Sequence, residues 1–297
     1  LTMIRLKHLL FFSLVVTGQL VSLRANAQHQ IAHHDIQPSW ILDYPPFRIA
    51  GNLYYVGSDD LACYLITTPK GHILINTGVA GSDTMIRRHV ETLGFKFRDI
   101  RILLASHAHF DHVGAMAAIK QETKAKMMME EEDAPVMEDG GDSDFDFGGR
   151  GFLFEPVRVD RKLHDRDSIL FGGMKIEVLH HPGHTKGASS FLFTVKDDKG
   201  AYRVLIANIP SILAETKLPS MPAYQNVKKD YVYTLDTMPK LQFDLWFAAH
   251  TSQFRLHEKH HPGDPYHPMA FADRPGYDAK IRQMQEGFAE RLKETNK

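Results

Sequence analysis

The densest chemistry in the chain lies in Ser106-His107-Ala108-His109-Phe110-Asp111-His112-Val113-Gly114-Ala115. Neutral imidazole is the commonest protein metal ligand, and carboxylate is another. In extended chain, residues two apart point the same way, so His107 and His109 can face one ion together. Asp111 and His112 fall where the chain turns into a helix, and can face a second ion beside the first. Four potential ligands within six residues is a pattern that chance surface placement rarely produces. The chain holds 18 histidines in all, and two later ones complete the picture. His184 stands in the tight turn His181-Pro182-Gly183-His184. His250 closes the apolar run Leu245-Trp246-Phe247-Ala248-Ala249. With the first cluster they make up two three-ligand sets.

Such a site needs strands that end at one edge. Residues 52–56, 63–67 and 72–75 read as β-strands, with a turn at Pro69-Lys70-Gly71. Ser82 is the expected N-cap of a helix running to Leu93 and stopped by Gly94. A short buried strand over 100–105 leads into the histidine cluster, and a helix over 113–121 leads out of it. Residues 168–170, 174–179, 190–195, 204–207 and 245–249 read as further strands. Ile281, Met284, Phe288 and Leu292 fall at helical spacing in a terminal amphipathic helix over 277–293. The acidic, glycine-rich stretch 130–150 reads as a solvated surface loop, with a flap beside the site as the alternative. Strand content in two halves, mixed with helices and without repeats or a linker, fits one α/β sandwich domain.

Composition narrows the function classes. A net charge of -1 gives no case for nucleic acid or an anionic membrane as partner. The single cysteine, Cys63, excludes an internal disulfide and sits in an apolar strand as a small buried residue. Arg5 and Lys7, the apolar run from Leu9 to Val16 and Ala25-Asn26-Ala27 match an export leader over residues 1–27. The run is too short for a membrane span, which needs about 20 apolar residues. The mature domain would then cover 28–297, free of the membrane.

The sequence resembles the metallo-β-lactamase superfamily, whose signature is His-x-His-x-Asp-His with two later histidines. It is most similar to the zinc β-lactamase subclass that lacks a cysteine ligand, and within it to the GOB branch. Tyr44-Pro45-Pro46-Phe47, His181-Pro182-Gly183-His184-Thr185-Lys186-Gly187 and Ser252-Gln253-Phe254-Arg255-Leu256-His257-Glu258-Lys259 carry that likeness. The resemblance implies an αβ/βα sandwich of two mixed sheets flanked by helices. It implies two zinc ions, one held by His107, His109 and His184, the other by Asp111, His112 and His250, with positions left open for catalysis. It further implies an enzyme that opens β-lactam antibiotics by a water activated between the metals, with Asp111 also orienting that water; with the leader this points to the periplasm, and a monomer is expected. Many members of the branch have glutamine at the position of His107, so a histidine here favours a complete two-metal site. The strand before the first helix usually ends in an aspartate that supports a metal-bound histidine, and here Asn76 takes its place.

Other hydrolases of this superfamily act on lactones, thioesters or phosphodiesters, and usually carry a bridging aspartate between the last two histidines. In Val204-Leu205-Ile206-Ala207-Asn208-Ile209-Pro210-Ser211 that position falls on or beside Ile209, which cannot ligate. A metal-binding protein without catalysis is the remaining alternative, opposed by the open coordination positions. Ser211 is either a contact for the substrate carboxylate or a turn serine. Trp40 and Tyr44 either wall the cleft or serve packing. Lys186 is either a contact for an anionic substrate or a solvated lysine. His181 is a candidate support for a ligand. His33, His34, His72, His89, His164, His257, His260, His261 and His267 are expected to have surface or local structural roles.

Overall fold

A computed structural model describes residues 36–218 and 220–295. The leader expected over residues 1–27, together with His33 and His34, lies outside the described residues. Seven strands form the first sheet in sequence order: β1 (Phe47–Ala50), β2 (Leu53–Tyr55), β3 (Tyr64–Thr68), β4 (Gly71–Ile75), β5 (Ile100–Leu104), β6 (Lys126–Glu130) and β7 (Arg161–Leu163). Strands β1 to β4 pair antiparallel, and β4 to β7 pair parallel. The second sheet holds β8 (Ser168–Phe171), β9 (Met174–His180), β10 (Ser189–Lys196), β11 (Ala201–Ala207) and β12 (Leu245–Ala248), also side by side in sequence order. It is antiparallel except for the parallel pair β11–β12.

The strand period of two decides which residues meet. Ile73, Ile75, Ile102 and Leu104 face inward and pack with Ile176, Val178, Phe191, Phe193, Val204, Ile206 and Phe247 of the second sheet. Leu74, Leu103, Met127 and Met129 alternate with them and face outward. There they cover Ile86 and Val90 of the helix Ser82–Thr92 and Ile119 of the helix Met116–Thr123. On the far side, Tyr231 and Leu235 of the helix Val227–Thr237 pack with Phe288 of the helix Arg274–Thr295. Helices therefore flank two facing mixed sheets, the αβ/βα sandwich expected from the sequence. Among the described residues no helix is long and apolar enough to cross a membrane.

Three local expectations are corrected. Ser82 is the first helical residue, and the cap position belongs to Gly81, whose φ of 89° is glycine territory. The helix expected over 113–121 is two short ones, Phe110–Val113 and Met116–Thr123. Gly114 lies in the break, where a Cβ would come within 2.4 Å of the Ala80 backbone nitrogen. Only glycine lets the histidine loop lie that close to the turn at 78–80, with Gly114 N–H donating to the Gly78 carbonyl at 2.8 Å. Finally, 130–150 is not a solvated loop. It contains the helix Ala134–Asp139, and Asp133, Asp144 and Asp146 are buried.

Candidate metal centre

Six strands deliver the site, each from its carboxyl end. Asn76 follows β4, the histidine cluster follows β5, and Asp133 follows β6. His184 follows β9, Asn208 follows β11, and His250 follows β12. Ligands far apart in sequence thus converge at one end of the sandwich, where parallel strands leave their loops. His107 is at the centre: its ring lies 4.7 Å from that of His109, 4.6 Å from His184 and 4.5 Å from His112. His112 is in turn 4.9 Å from His250.

His107, His109 and His184 bring ligand atoms within 4.8 Å of one another, and so do His107, Asp111 and His112. His250 joins the second group through Nε2, 3.4 Å from Asp111 Oδ2, which also lies 3.2 Å from His112 Nε2. The outer nitrogens are committed to hydrogen bonds. His107 Nδ1 donates to Asn208 Oδ1 at 2.8 Å, His184 Nδ1 to the Ser211 carbonyl at 2.8 Å, and His250 Nδ1 to Asp60 Oδ2 at 3.0 Å. A proton fixed on Nδ1 leaves the lone pair on Nε2, the tautomer a metal ligand requires. His107 Nε2 is buried with no hydrogen-bond partner, an orphan that a cation in this cluster would satisfy.

Electrostatics divide the rings: against its burial, Asp144 lifts His109 above the ordinary imidazole value, while three others are drawn down. Burial, reinforced by neighbouring histidines, holds His107 far below the ordinary imidazole range, and burial draws His184 down to about 4 and His112 to about 3. These rings are neutral at physiological pH and have lone pairs to give. Burial also opposes charge on His250, yet its bonds to Asp111 and Asp60 lift it to about 9. Asp111 is drawn well below the usual carboxylate value by His112 and His250, against the effect of burial. A positive charge is therefore stabilised between Asp111 and His250, where a divalent cation would sit. The donors are imidazole and carboxylate, a set suited to zinc.

The cluster floors a cavity of about 360 Å³ walled by Trp40, Phe110, Phe147, Phe152 and Ile209. Trp40 stacks at a tilt on Phe110 at 6.0 Å and on His250 at 6.1 Å, so of the two aromatics it is the one at the cleft. Tyr44 is placed elsewhere: it is buried in the core, its hydroxyl 3.0 Å from His260 Nδ1 and donating to the His260 carbonyl at 2.8 Å. Ser211 lines the cavity with its Oγ 3.2 Å from His184 Nδ1. Ile209 lines it too, at the position the resemblance assigns to a bridging aspartate in other hydrolases of the superfamily. Asn76 reaches a histidine only through Ser106: its Oδ1 accepts the Ser106 N–H at 2.9 Å and the Ser106 hydroxyl at 3.3 Å, and that hydroxyl lies 3.2 Å from His107 Nδ1. His181 acts through two intermediaries, with Nδ1 2.7 Å from Ser190 Oγ, which accepts the Asn208 N–H at 2.9 Å. Lys186 points away, over the Tyr224 ring at 5.9 Å.

Several supports were not visible as motifs. Asn208 and Asp60 carry no spacing signal, although Asn208 directly follows a strand that ends at the site. Asp144 Oδ2 lies 3.4 Å from His109 Nε2, beyond a good hydrogen bond and within ion-pair reach. Its own Oδ1 accepts the N–H groups of Asp146 and Phe147, and His109 draws it down to about 2 despite its burial. Phe147 covers His109 at 4.6 Å.

The profile of the metallo-β-lactamase superfamily matches residues 59–198. A solved β-lactamase from Chitinophaga pinensis is 62% identical, with a TM-score of 0.86 over 87% of this chain and 97% of that one. The class B3 di-zinc metallo-β-lactamase LRA-12 from an Alaskan soil metagenome is 53% identical, with a TM-score of 0.85 over 86% and 97%. The metallo-β-lactamase GOB-18 from Elizabethkingia meningoseptica is 48% identical, with a TM-score of 0.86 over 88% and 96%. The first curated relatives are matched over 38% to 61% of their own length, beginning with a probable metallo-hydrolase of Burkholderia pseudomallei at 30% identity over 40% of this chain. An N-acyl homoserine lactonase of a Bacillus species is 23% identical over 57% of this chain and 66% of that protein.

Proposed function

The chain belongs to the metallo-β-lactamase superfamily, and on that premise we propose that it is a zinc-dependent hydrolase of the β-lactam amide bond. Penicillins, cephalosporins and carbapenems are the substrate class. The observation that carries this reading is the pair of converging donor sets at the floor of an apolar cavity, with Ile209 where a bridging carboxylate would otherwise sit. His107, His109 and His184 would hold one zinc ion, and Asp111, His112 and His250 the other. Bound there, zinc supplies Lewis acidity and lowers the pKa of coordinated water toward neutrality.

The chain's residues do the rest. Asn208, the Ser211 carbonyl and Asp60 keep His107, His184 and His250 in the ligating tautomer. Asp111, ionised between His112 and His250, orients the attacking water. Oxygen is added to the ring carbonyl carbon, the carbon–nitrogen bond breaks, and a proton passes to the departing nitrogen. Trp40, Phe110, Phe147 and Phe152 exclude solvent and receive the apolar parts of the substrate. The Ser211 hydroxyl, which lines the cavity, meets the substrate carboxylate in this reading. Residues 1–27 read as an export leader that delivers a monomer to the periplasm, where these drugs act and where resistance is conferred.

The lactonase likeness favours a second reading, hydrolysis of a lactone or related ester, though at far lower identity. Turnover of a carbapenem and a chromogenic cephalosporin, with and without a zinc chelator, separates the two. The first reading predicts activity that the chelator abolishes and zinc restores. Folded, zinc-loaded protein inert on both drugs but active on a lactone would establish the second.

A further inference from the structure

Two loops present the three histidines of the first donor set, and one buried side chain joins them. Asp133 is 1% exposed and follows β6. Its Oδ2 accepts the N–H of Ala108, the residue between His107 and His109, at 2.9 Å. The same oxygen accepts the Thr185 hydroxyl, next to His184, at 2.7 Å. Its Oδ1 accepts the Gly187 N–H, farther along that second loop, at 2.7 Å. The approach leaves no room for a side chain at 187, where a Cβ would come within 2.5 Å of the Asp133 nitrogen. A backbone bond from Ser189 N–H to the Ser106 carbonyl, 2.8 Å, joins the same loops at their outer ends.

We infer that Asp133 is a positioning residue that sets the distance between His107, His109 and His184 by clamping their loops to one carboxylate. It belongs to neither donor group and does not line the cavity. Three donors face its two oxygens, so an ionised acid alone satisfies them all. In an asparagine, one orientation turns an NH₂ group onto two donors and the other turns it onto one. Outer partners that fix metal ligands typically alter metal affinity by about 10–100-fold when lost.

The inference rests on reading those histidines as ligands, so wild-type protein is titrated first. Failure of the wild type to bind zinc would overturn the metal reading, and this inference with it. Given normal wild-type binding, full-length Asp133→Asn is compared by zinc–chelator competition and by thermal unfolding without metal. The expected result is a folded variant whose tighter zinc site weakens by about 10–100-fold. A variant with a lower unfolding temperature but unchanged zinc affinity shows that Asp133 only supports the fold, and overturns the inference. Should Asp133→Asn fail to fold, Thr185→Val decides, because it removes one donor and leaves the other two. Weaker zinc binding in that variant supports the clamp, and unchanged binding overturns it.

Discussion

Two segments meet at His109, and they are built in opposite ways. The loop 106–112 concentrates its chemistry in neighbouring side chains that point into the cleft. The segment 130–150 spreads acids along a stretch that looks made for water, yet Asp133, Asp144 and Asp146 turn inward: Asp133 and Asp146 meet donors from distant parts of the chain, and Asp144 faces His109. Asp146 accepts the Thr216 hydroxyl at 2.8 Å and pairs with Arg150 at 2.8 Å, which pins the arch carrying Phe147 over His109. Charge count is a property of sequence. Whether a charge is solvated or buried depends on which donors the fold brings to it.

The contrast can be broken at either segment. The largest effect is expected from Asp111→Ala in the loop, which removes a ligand and the group that orients water; β-lactam turnover should fall by on the order of 10³-fold or more in steady-state assays. If the acidic segment acts on the metal through His109, Asp144→Asn should weaken zinc binding by about 10–100-fold in chelator competition while the metal-free protein stays folded. Asp146→Ala tests whether the segment holds its own shape. Leaving the Thr216 hydroxyl unpaired and removing the carboxylate from Arg150, which keeps its bond to the residue 146 carbonyl, should cost about 1–3 kcal/mol in denaturant unfolding. Glu130 tests the segment through pH: it is buried and takes one N–H, from Glu132 at 2.7 Å. Burial pushes its carboxyl from 4.5 up to about 7. A raised acid pKa means the folded state keeps a proton that the unfolded chain releases, so stability falls as pH rises from about 4 to 7. Glu130→Gln should therefore unfold at a higher temperature than wild type at pH 8, with the gap closing toward pH 4 in calorimetry.

Much of the fold was legible because buried strands announce themselves by apolar runs and turns. The antiparallel strands of the second sheet and the strand before the histidine loop lie where the pattern put them. Strand β6, Lys-Met-Met-Met-Glu, and the three-residue β7 were missed, since neither alternates nor carries β-branched residues. The six ligand candidates were legible because metal chemistry restricts residue type and the strand ends restrict placement. Asp60, Asp133, Asp144 and Asn208 were not, because each earns its role through a partner more than 20 residues away. Of the two roles open to Tyr44, the fold takes packing, with its hydroxyl on His260.

The bond between His250 and Asp60 spans 190 residues of chain. Contacts of such separation are the slow ones in folding, since loop closure must precede them. Neither sheet alone carries the full donor set, so the sandwich must dock before the centre exists. Zinc capture would then be a late event that times the completion of the fold, and a stopped-flow zinc signal would lag behind the recovery of secondary structure.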